Sequence, residues 1–340
     1  MVLFKKPSEE DLRALSILMK ERSKRVLVRF GEAALSGITD PTFLQLLNDV
    51  KGYWTDNFRP ALTSFCCEAV GGDFSVADDI GLMITLASAG GGIHDDMIDK
   101  SLGKHFRKTI LGLHGPDYAL IAGDYLIIKG WAMAVELVKK SSPEKLGRII
   151  EIFGKWTQDV CEAEFMEISC RRKVHTGLNR YENILRKSIA DAEACARLGA
   201  IIGDGSEEEI QSLAEYGSCL GLMYRLAGDA KDVINVEGNL ATRLQNESVP
   251  LPLLYSAKSS RENYNLVKSI LRNADFAATD LTKLQKLCIE SGGFAYLINR
   301  SKNNLKEALK RLQPLKPSSA RDNLNLMVCK SYQDICDMFL

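Results

Sequence analysis

An all-α fold, one domain spanning residues 1–340, is what this sequence predicts, and three observations predict it. Apolar residues recur at three- and four-residue spacing through long stretches, the mark of an amphipathic helix. Period-two alternation with β-branched enrichment, which a half-buried strand requires, runs over no useful length. The nine prolines sit mostly at boundaries (7, 41, 60, 116, 143, 250, 252, 314 and 317), leaving helix-length runs between them. In chain order, Ser8 with Glu9 and Glu10 opens a first helix whose apolar face is Leu12, Leu15, Leu18, Met19 and Val26. Asp40-Pro41 starts a second before the TFLQLL run. Cys66 and Cys67 fall on a helix and read as core packing, with Gly71-Gly72 at its end. Gly81 to Ile93 is an uncharged apolar run that reads as a buried helix. Ser142-Pro143-Glu144 starts a helix bearing Ile149, Ile152, Phe153, Trp156, Val160 and Phe165. Ser206, followed by three Glu, starts another, and Gly292-Gly293 marks a later boundary. No linker, charge block or fixed-period repeat divides the chain.

Composition narrows the function classes. Forty-four Lys plus Arg balance 44 Asp plus Glu, so no global field draws the protein to nucleic acid. The nine Cys include no C-x-x-C pair and read as free thiols in a reducing compartment, which sets a cytoplasmic expectation. Charges from Lys5 through Arg13 break any signal-like apolar stretch, and the 81–93 run is shorter than the roughly 20 residues of a spanning helix. No secretion and no transmembrane segment are expected. His94, His105, His114 and His175 show no zinc spacing and read as local hydrogen-bonding or surface residues, and Arg171-Arg172-Lys173 reads as a solvated basic loop.

The candidate chemistry lies in His94-Asp95-Asp96-Met97-Ile98-Asp99, directly after that run. On a helix Asp95 and Asp99 share a face one turn apart, and Asp96 turns about 100° away. Carboxylates crowded at the end of a buried helix are costly without a cation. Hard oxygen ligands with coordination positions left open suit Mg²⁺, which retains waters and takes substrate phosphate oxygens. Behind the cluster run Ala87, Ser88, Ala89, Gly90, Gly91 and Gly92. Each interior Gly costs roughly 1 kcal/mol relative to Ala. Two readings stand side by side: close helix packing on glycine, or an apolar slot ending at a charged mouth.

Seven segments in order resemble the trans-isoprenyl diphosphate synthases, the polyprenyl synthetase family of class I isoprenoid synthases. GYWTDNFRPALTSFCCEAVGGD (52–73) resembles the G-G-K-x-x-R-P segment, and HDDMID the first aspartate-rich motif. LIAGDYLIIKG (120–130) resembles the A-G-D-x-L helix, and YENILRKSIADAEACARLGA (181–200) the Lys-Thr helix. YGSCLGLMYRLAGDAKDV (216–233) occupies the second aspartate-rich motif, VPLPLLYS (249–256) the T-L-P-L stretch, and SGGFAYLINRSKNNLKEALKRL (291–312) the S-G-G helix pair. The resemblance implies an isoprenoid synthase helical bundle around a central cavity, a homodimer, and up to three Mg²⁺ ions bridging two acidic motifs to an allylic prenyl diphosphate. The carbon–oxygen bond then breaks to an allylic cation, captured in the family by the double bond of isopentenyl diphosphate. A lipid product also implies peripheral membrane contact.

Carried over residue by residue, the resemblance makes Asp95, Asp96, Asp99 and Lys187 catalytic, with Asp95, Asp96, Asp99, Asp229 and Asp232 as metal ligands. Lys104 or Arg107 would contact the donor diphosphate, Ser188 stands for the Thr beside Lys187, and Arg225 or Lys231 would offset charge. The family's leading Asp of the second motif is Gly228 here. Its acceptor-site Lys is Asp56 and its His is Ser88, leaving Arg59 as the surviving acceptor contact. The expectation that follows is a Mg²⁺-dependent prenyltransferase whose acceptor is not isopentenyl diphosphate, with Asp56, Glu162 or Glu164 removing the acceptor's proton. Three alternatives stay open: an ordinary polyprenyl or geranylgeranyl diphosphate synthase, a class I terpene cyclase (its second motif fitting poorly at Gly228, Asp232 and Val236), and a non-catalytic subunit of a heteromeric synthase. Gly90 and Gly91 stand where bulky residues close the pocket floor in the family, so a donor of twenty carbons or more is expected.

Overall fold

Ser8 caps the first helix as the sequence predicts, its hydroxyl accepting the Asp11 N–H while the Asp11 carboxylate accepts the Ser8 N–H. Asp40, Ser142 and Ser206 likewise cap the helices placed after them. The computed structural model describes residues 6–104, 107–137, 141–235 and 238–339. His105 and Val236, marked in the sequence, lie outside the described residues, as does the start of the chain through residue 5. The elements run α1 (Glu9–Leu35), α2 (Pro41–Tyr53), α3 (Phe58–Ala69), a 3₁₀ turn (Phe74–Ala77), α4 (Asp78–Ile98), β1 (Gly103–Lys104), β2 (Arg107–Lys108), α5 (Ile110–His114), α6 (Pro116–Glu136), α7 (Pro143–Cys170) and α8 (Leu178–Ser188). There follow α9 (Ala190–Ile202), α10 (Glu207–Ile234), α11 (Leu240–Asn246), α12 (Leu251–Lys258), α13 (Arg261–Ile270), α14 (Ala278–Glu290), α15 (Gly293–Arg311) and α16 (Ser319–Asp337).

The all-α expectation holds, with one addition. β1 and β2 form a two-residue antiparallel ladder just past the acidic cluster, in which Lys104 pairs with Arg107. Gly292 takes a left-handed φ of 78° at the α14–α15 junction, a conformation that favours glycine, as the Gly-Gly boundary predicts. All nine cysteines are free, and Cys66 and Cys67 are buried in α3.

Two apolar clusters meet on α4. One joins α3, α7, α9, α10 and the C-terminal helices, and the other joins α1, α2, α4 and α6. Helices α4 and α6 approach backbone to backbone: a Cβ on Gly90 would overlap the Gly123 carbonyl, and one on Gly130 would stand 3.0 Å from the Met83 carbonyl. Gly90 is therefore a packing glycine, which corrects its assignment to the pocket floor. Gly91 has nothing within 4 Å of the place a Cβ would take, and it keeps the slot reading. The packing reading of the glycine run is right at Gly90, and Gly91 leaves open space beside it.

The membrane expectation weighed only the 81–93 run. Both α4 with its preceding turn and α6 are long and apolar enough to cross a bilayer, the first 78% buried inside the fold and the second 33%. The basic loop also differs from its sequence reading. Arg171 donates to the Ile98 carbonyl at 2.7 Å, and Arg172 donates to the Leu271 carbonyl at 3.0 Å. Two of its three cations thus brace the ends of other elements.

Candidate active site

The C-terminal end of α4 opens on a cavity of about 340 Å³, bordered by the β1 strand, α7, α10 and α11. Asp95 and Asp99 both line it, one turn apart as their spacing requires, while Asp96 turns beneath it and is 4% exposed. Asp99 ends the helix, its N–H donating to the Asp95 carbonyl. Lys104 reaches back from β1 to both neighbours, 3.1 Å from Asp95 and 2.7 Å from Asp96. It was expected on the donor diphosphate, and here it holds the notch between these two acids. Burial, joined by repulsion from Asp95, pushes the Asp99 carboxyl up to about 7. Across from it on α7, burial with Asp95 and Glu167 as further causes pushes Glu164 up to about 8.

The opposite wall is built by α10 and α11. Arg225, Asp232, Arg243 and Glu247 line it, together with Glu167 of α7. Arg225 stands 3.4 Å from Glu167, and Arg243 stands 3.4 Å from the same carboxylate's other oxygen. Ser248 donates its hydroxyl to Glu167 at 2.5 Å, held in place by an antiparallel bridge between Arg171 and Ser248. Burial raises Glu167, but the two guanidiniums and Ser248 outweigh it and hold this carboxyl below its ordinary value. Sequence reasoning missed Arg243 entirely. Its signal was local: Leu240, Arg243 and Leu244 share the buried face of α11, and an arginine on an apolar face needs partners.

Several residues marked in the sequence do not reach this cavity. Asp229 is 2% exposed, and its Oδ2 accepts from the Tyr181 hydroxyl at 2.7 Å and the Leu251 N–H at 3.0 Å, so it braces α10 against α8 and α12. Lys231 is exposed on α10. Lys187 is tied to Asp159 at 2.8 Å and Glu162 at 2.9 Å on α7, and the Ser188 hydroxyl donates to the Leu185 carbonyl. Arg107 donates to the Tyr53 carbonyl and lies over the Tyr53 ring. Arg59 closes on two carboxylates, Asp56 at 2.9 Å and Asp191 at 2.6 Å. Asp56 also accepts the Phe58 and Arg59 N–H groups at the start of α3, which engages it as a cap rather than as a base. Ser88 is buried on α4 and its hydroxyl has no hydrogen-bond partner. His94 contacts the Leu120 carbonyl and Asp124, and His114 pairs with Asp49, both local roles.

Mg²⁺ is tested by the chemistry of these oxygens. Asp95, Asp99 and Glu164 converge on one space, and burial together with the negative charge of the neighbouring carboxylates makes the last two resist ionisation there. That is the electrostatic demand a hard divalent ion satisfies. Among the described residues no group of three or more carboxylate, thiol or imidazole side chains is drawn together closely enough to hold a metal ion by itself. An open oxygen set fits an ion that completes its shell with water and phosphate oxygens. On the α4 side the residues fit Mg²⁺.

Residues 45–288 match the family model described as Polyprenyl synthetase. The chain is 25% identical over 307 residues to the short chain isoprenyl diphosphate synthase of Methanothermobacter thermautotrophicus, covering 86% of this chain and 91% of that one. It is 25% identical over 233 residues to the geranylfarnesyl diphosphate synthase of Methanosarcina mazei, covering 68% and 75%. The structure of geranylgeranyl pyrophosphate synthetase from Pyrococcus horikoshii superposes with a TM-score of 0.84 over 95% of this chain and 99% of that one, at 22% identity, a likeness of fold.

Proposed function

We propose that this chain, which belongs to the polyprenyl synthetase family and is a prenyltransferase, is a Mg²⁺-dependent prenyl diphosphate synthase that extends an allylic diphosphate with isopentenyl diphosphate. One observation carries the reading: Asp95, Asp99 and Glu164 face Arg225 and Arg243 across one cavity, with Lys104 at its rim. The relatives named above support isopentenyl diphosphate as the acceptor ahead of the alternative drawn from the sequence. Mg²⁺, when bound, neutralises charge that builds on the leaving diphosphate. Asp95 and Asp99 would hold it by their carboxylate oxygens. Arg225 and Arg243 add fixed positive charge to the opposite wall, where charge counts for more in a partly desolvated cleft than in water. Arg171 fixes the end of α4 by its bond to Ile98, which keeps the acidic turn aimed at the cavity. Nothing lies within 4 Å of where a Gly91 Cβ would stand, and this supports a donor of twenty carbons or more.

A second reading, an acceptor other than isopentenyl diphosphate, is favoured by Arg59. Its guanidinium, the acceptor contact that survives in the sequence, is already neutralised by Asp56 and Asp191. Incubation with Mg²⁺, geranylgeranyl diphosphate and labelled isopentenyl diphosphate separates the two. Extended labelled product is the expected result, and release of diphosphate without elongation selects the second reading.

A homodimer in the cytoplasm is the proposed state. On α6, Ile121, Ile128 and Val135 recur every seven residues and are 58%, 65% and 62% exposed, an apolar stripe suited to a second copy. The double variant Ile121→Asp, Ile128→Asp should sediment as a monomer, and an unchanged dimer would place the interface elsewhere.

A further inference from the structure

Arg243 is 4% exposed on α11, and carboxylates from three parts of the chain surround it. Glu167 of α7 lies at 3.4 Å, Asp229 and Asp232 of α10 at 3.5 and 3.6 Å, and Glu247 is in direct contact. Its Nη2 also faces the Tyr181 and Ser248 hydroxyls at 3.4 and 3.5 Å, and its buried Nε makes no hydrogen bond. The oxygens at which the family resemblance puts metal on this side are therefore already grouped around an organic cation. At the head of the motif Gly228 offers no side-chain oxygen, and nothing lies within 4 Å of the place its Cβ would take.

Resting on the prenyltransferase reading, we propose that Arg243 is the resident cation of the α10–α11 wall and replaces divalent metal there. The diphosphate complex then assembles on at most two Mg²⁺, both on the α4 side, instead of the three the resemblance implies. A divalent metal about 2.1 Å from an Asp229 or Asp232 oxygen would add a second positive charge beside the guanidinium that already stands 3.5 and 3.6 Å from these carboxylates. Arginine does not lose its proton in proteins, and withdrawing it would take the guanidinium from Asp229, Asp232 and Glu247 and leave Glu167 with Arg225 alone. Lys104 on the α4 side is the opposite case. It stands on a two-residue strand, a third exposed, and its flexible stem lets the ammonium move from Asp95 and Asp96 to a phosphate when metal arrives.

The test counts metal directly. The full-length protein is titrated with Mn²⁺ in the presence of inorganic pyrophosphate, and free Mn²⁺ is followed by electron paramagnetic resonance. Wild type is expected to hold one or two Mn²⁺ per chain, and three would overturn the proposal. Asp232→Asn is expected to leave the count unchanged and the affinity within about twofold, whereas loss of one Mn²⁺ would make Asp232 a ligand and overturn it. Arg243→Met, where it folds, is expected to gain one Mn²⁺ on the vacated acids, and an unchanged count overturns the proposal; where it does not fold, the Asp232→Asn count decides. No uptake by wild type, or uptake indifferent to Asp99→Asn, sinks the prenyltransferase reading beneath it, a failure distinct from a count of three.

Discussion

The wall that α4 gives to the cavity and the wall that α10 and α11 give to it are both acidic, yet they settle their charge by different means. On the α4 side Asp99 and Glu164 are pushed up to about 7 and 8, and the neighbouring cation, Lys104, is a third exposed on a short loop. On the α10–α11 side Glu167 is held low by two arginines, and Asp229 and Asp232 lie within ion-pair range of Arg243. One wall is left short of positive charge, and the other carries its own. Aspartates that look alike in sequence therefore divide into those that line the cavity and those that hold the fold. Asp95 and Asp99 are of the first kind, and Asp229, bonded to Tyr181 and Leu251, is of the second.

The largest expected effect breaks or upholds that division. Asp99→Asn should lower prenyl transfer at saturating Mg²⁺ by about a hundredfold or more, the scale of losing one preorganised electrostatic contact to a developing charge. It should not lower the melting temperature, because ionised Asp99 is disfavoured in the fold. Asp229→Asn should instead cost about 1–3 kcal/mol in denaturant unfolding by disturbing buried hydrogen bonds. A stable Asp229→Asn protein, or an unfolded Asp99→Asn one, would reverse the assignment of the two walls.

Beneath the α4 wall the adjacent glycines give the next effect. Gly90→Ala should destabilise by about 1–3 kcal/mol because its methyl group overlaps the α6 backbone. Gly91→Phe should leave unfolding nearly unchanged and shorten the preferred product in chain-length chromatography, since its side chain enters open space.

The pH dependence is smaller and sharpens the contrast. Asp99 and Glu164 have raised folded values, so the stability from their protonation is fully present below about pH 4 and is lost as pH rises through about 7 and 8. Glu167 is lowered, so its contribution is present above its ordinary value near 4.5 and is lost on acidification. Metal-free protein should therefore lose about 2 °C or more of melting temperature between about pH 5 and 8. Glu164→Gln should flatten that slope, as should Mg²⁺ with pyrophosphate, which binds the ionised form. An equally steep slope in Glu164→Gln would remove Glu164 as its source. The smallest effect is Asp56→Asn, which under the synthase reading should lower KM for isopentenyl diphosphate several-fold by releasing Arg59 from one of its two acids.

The helices were legible because capping and apolar periodicity are local. Ser8, Asp40, Ser142 and Ser206 each start the helix that their neighbours predict. So was the α4 wall, since residues four apart on a helix must share a face, and Asp95 and Asp99 do. The rest was hidden wherever a side chain's partner lies far along the chain. Arg59 finds Asp191 across 132 positions, Arg171 finds Ile98 across 73, and Glu167 finds Ser248 across 81. Spacing alone does not show which of two neighbouring glycines meets another helix. Nor does it show whether an aspartate at a motif position turns to the cavity or to a tyrosine.

By itself the sequence determined where four of the helices begin and which face of α4 carries acid. These follow from interactions within a few residues. Tertiary structure alone decided which cation each acid has, Lys104 at a rim it can leave or Arg243 in a site it cannot. That choice depends on burial and on partners brought together from α7, α10 and α11, which no local pattern encodes.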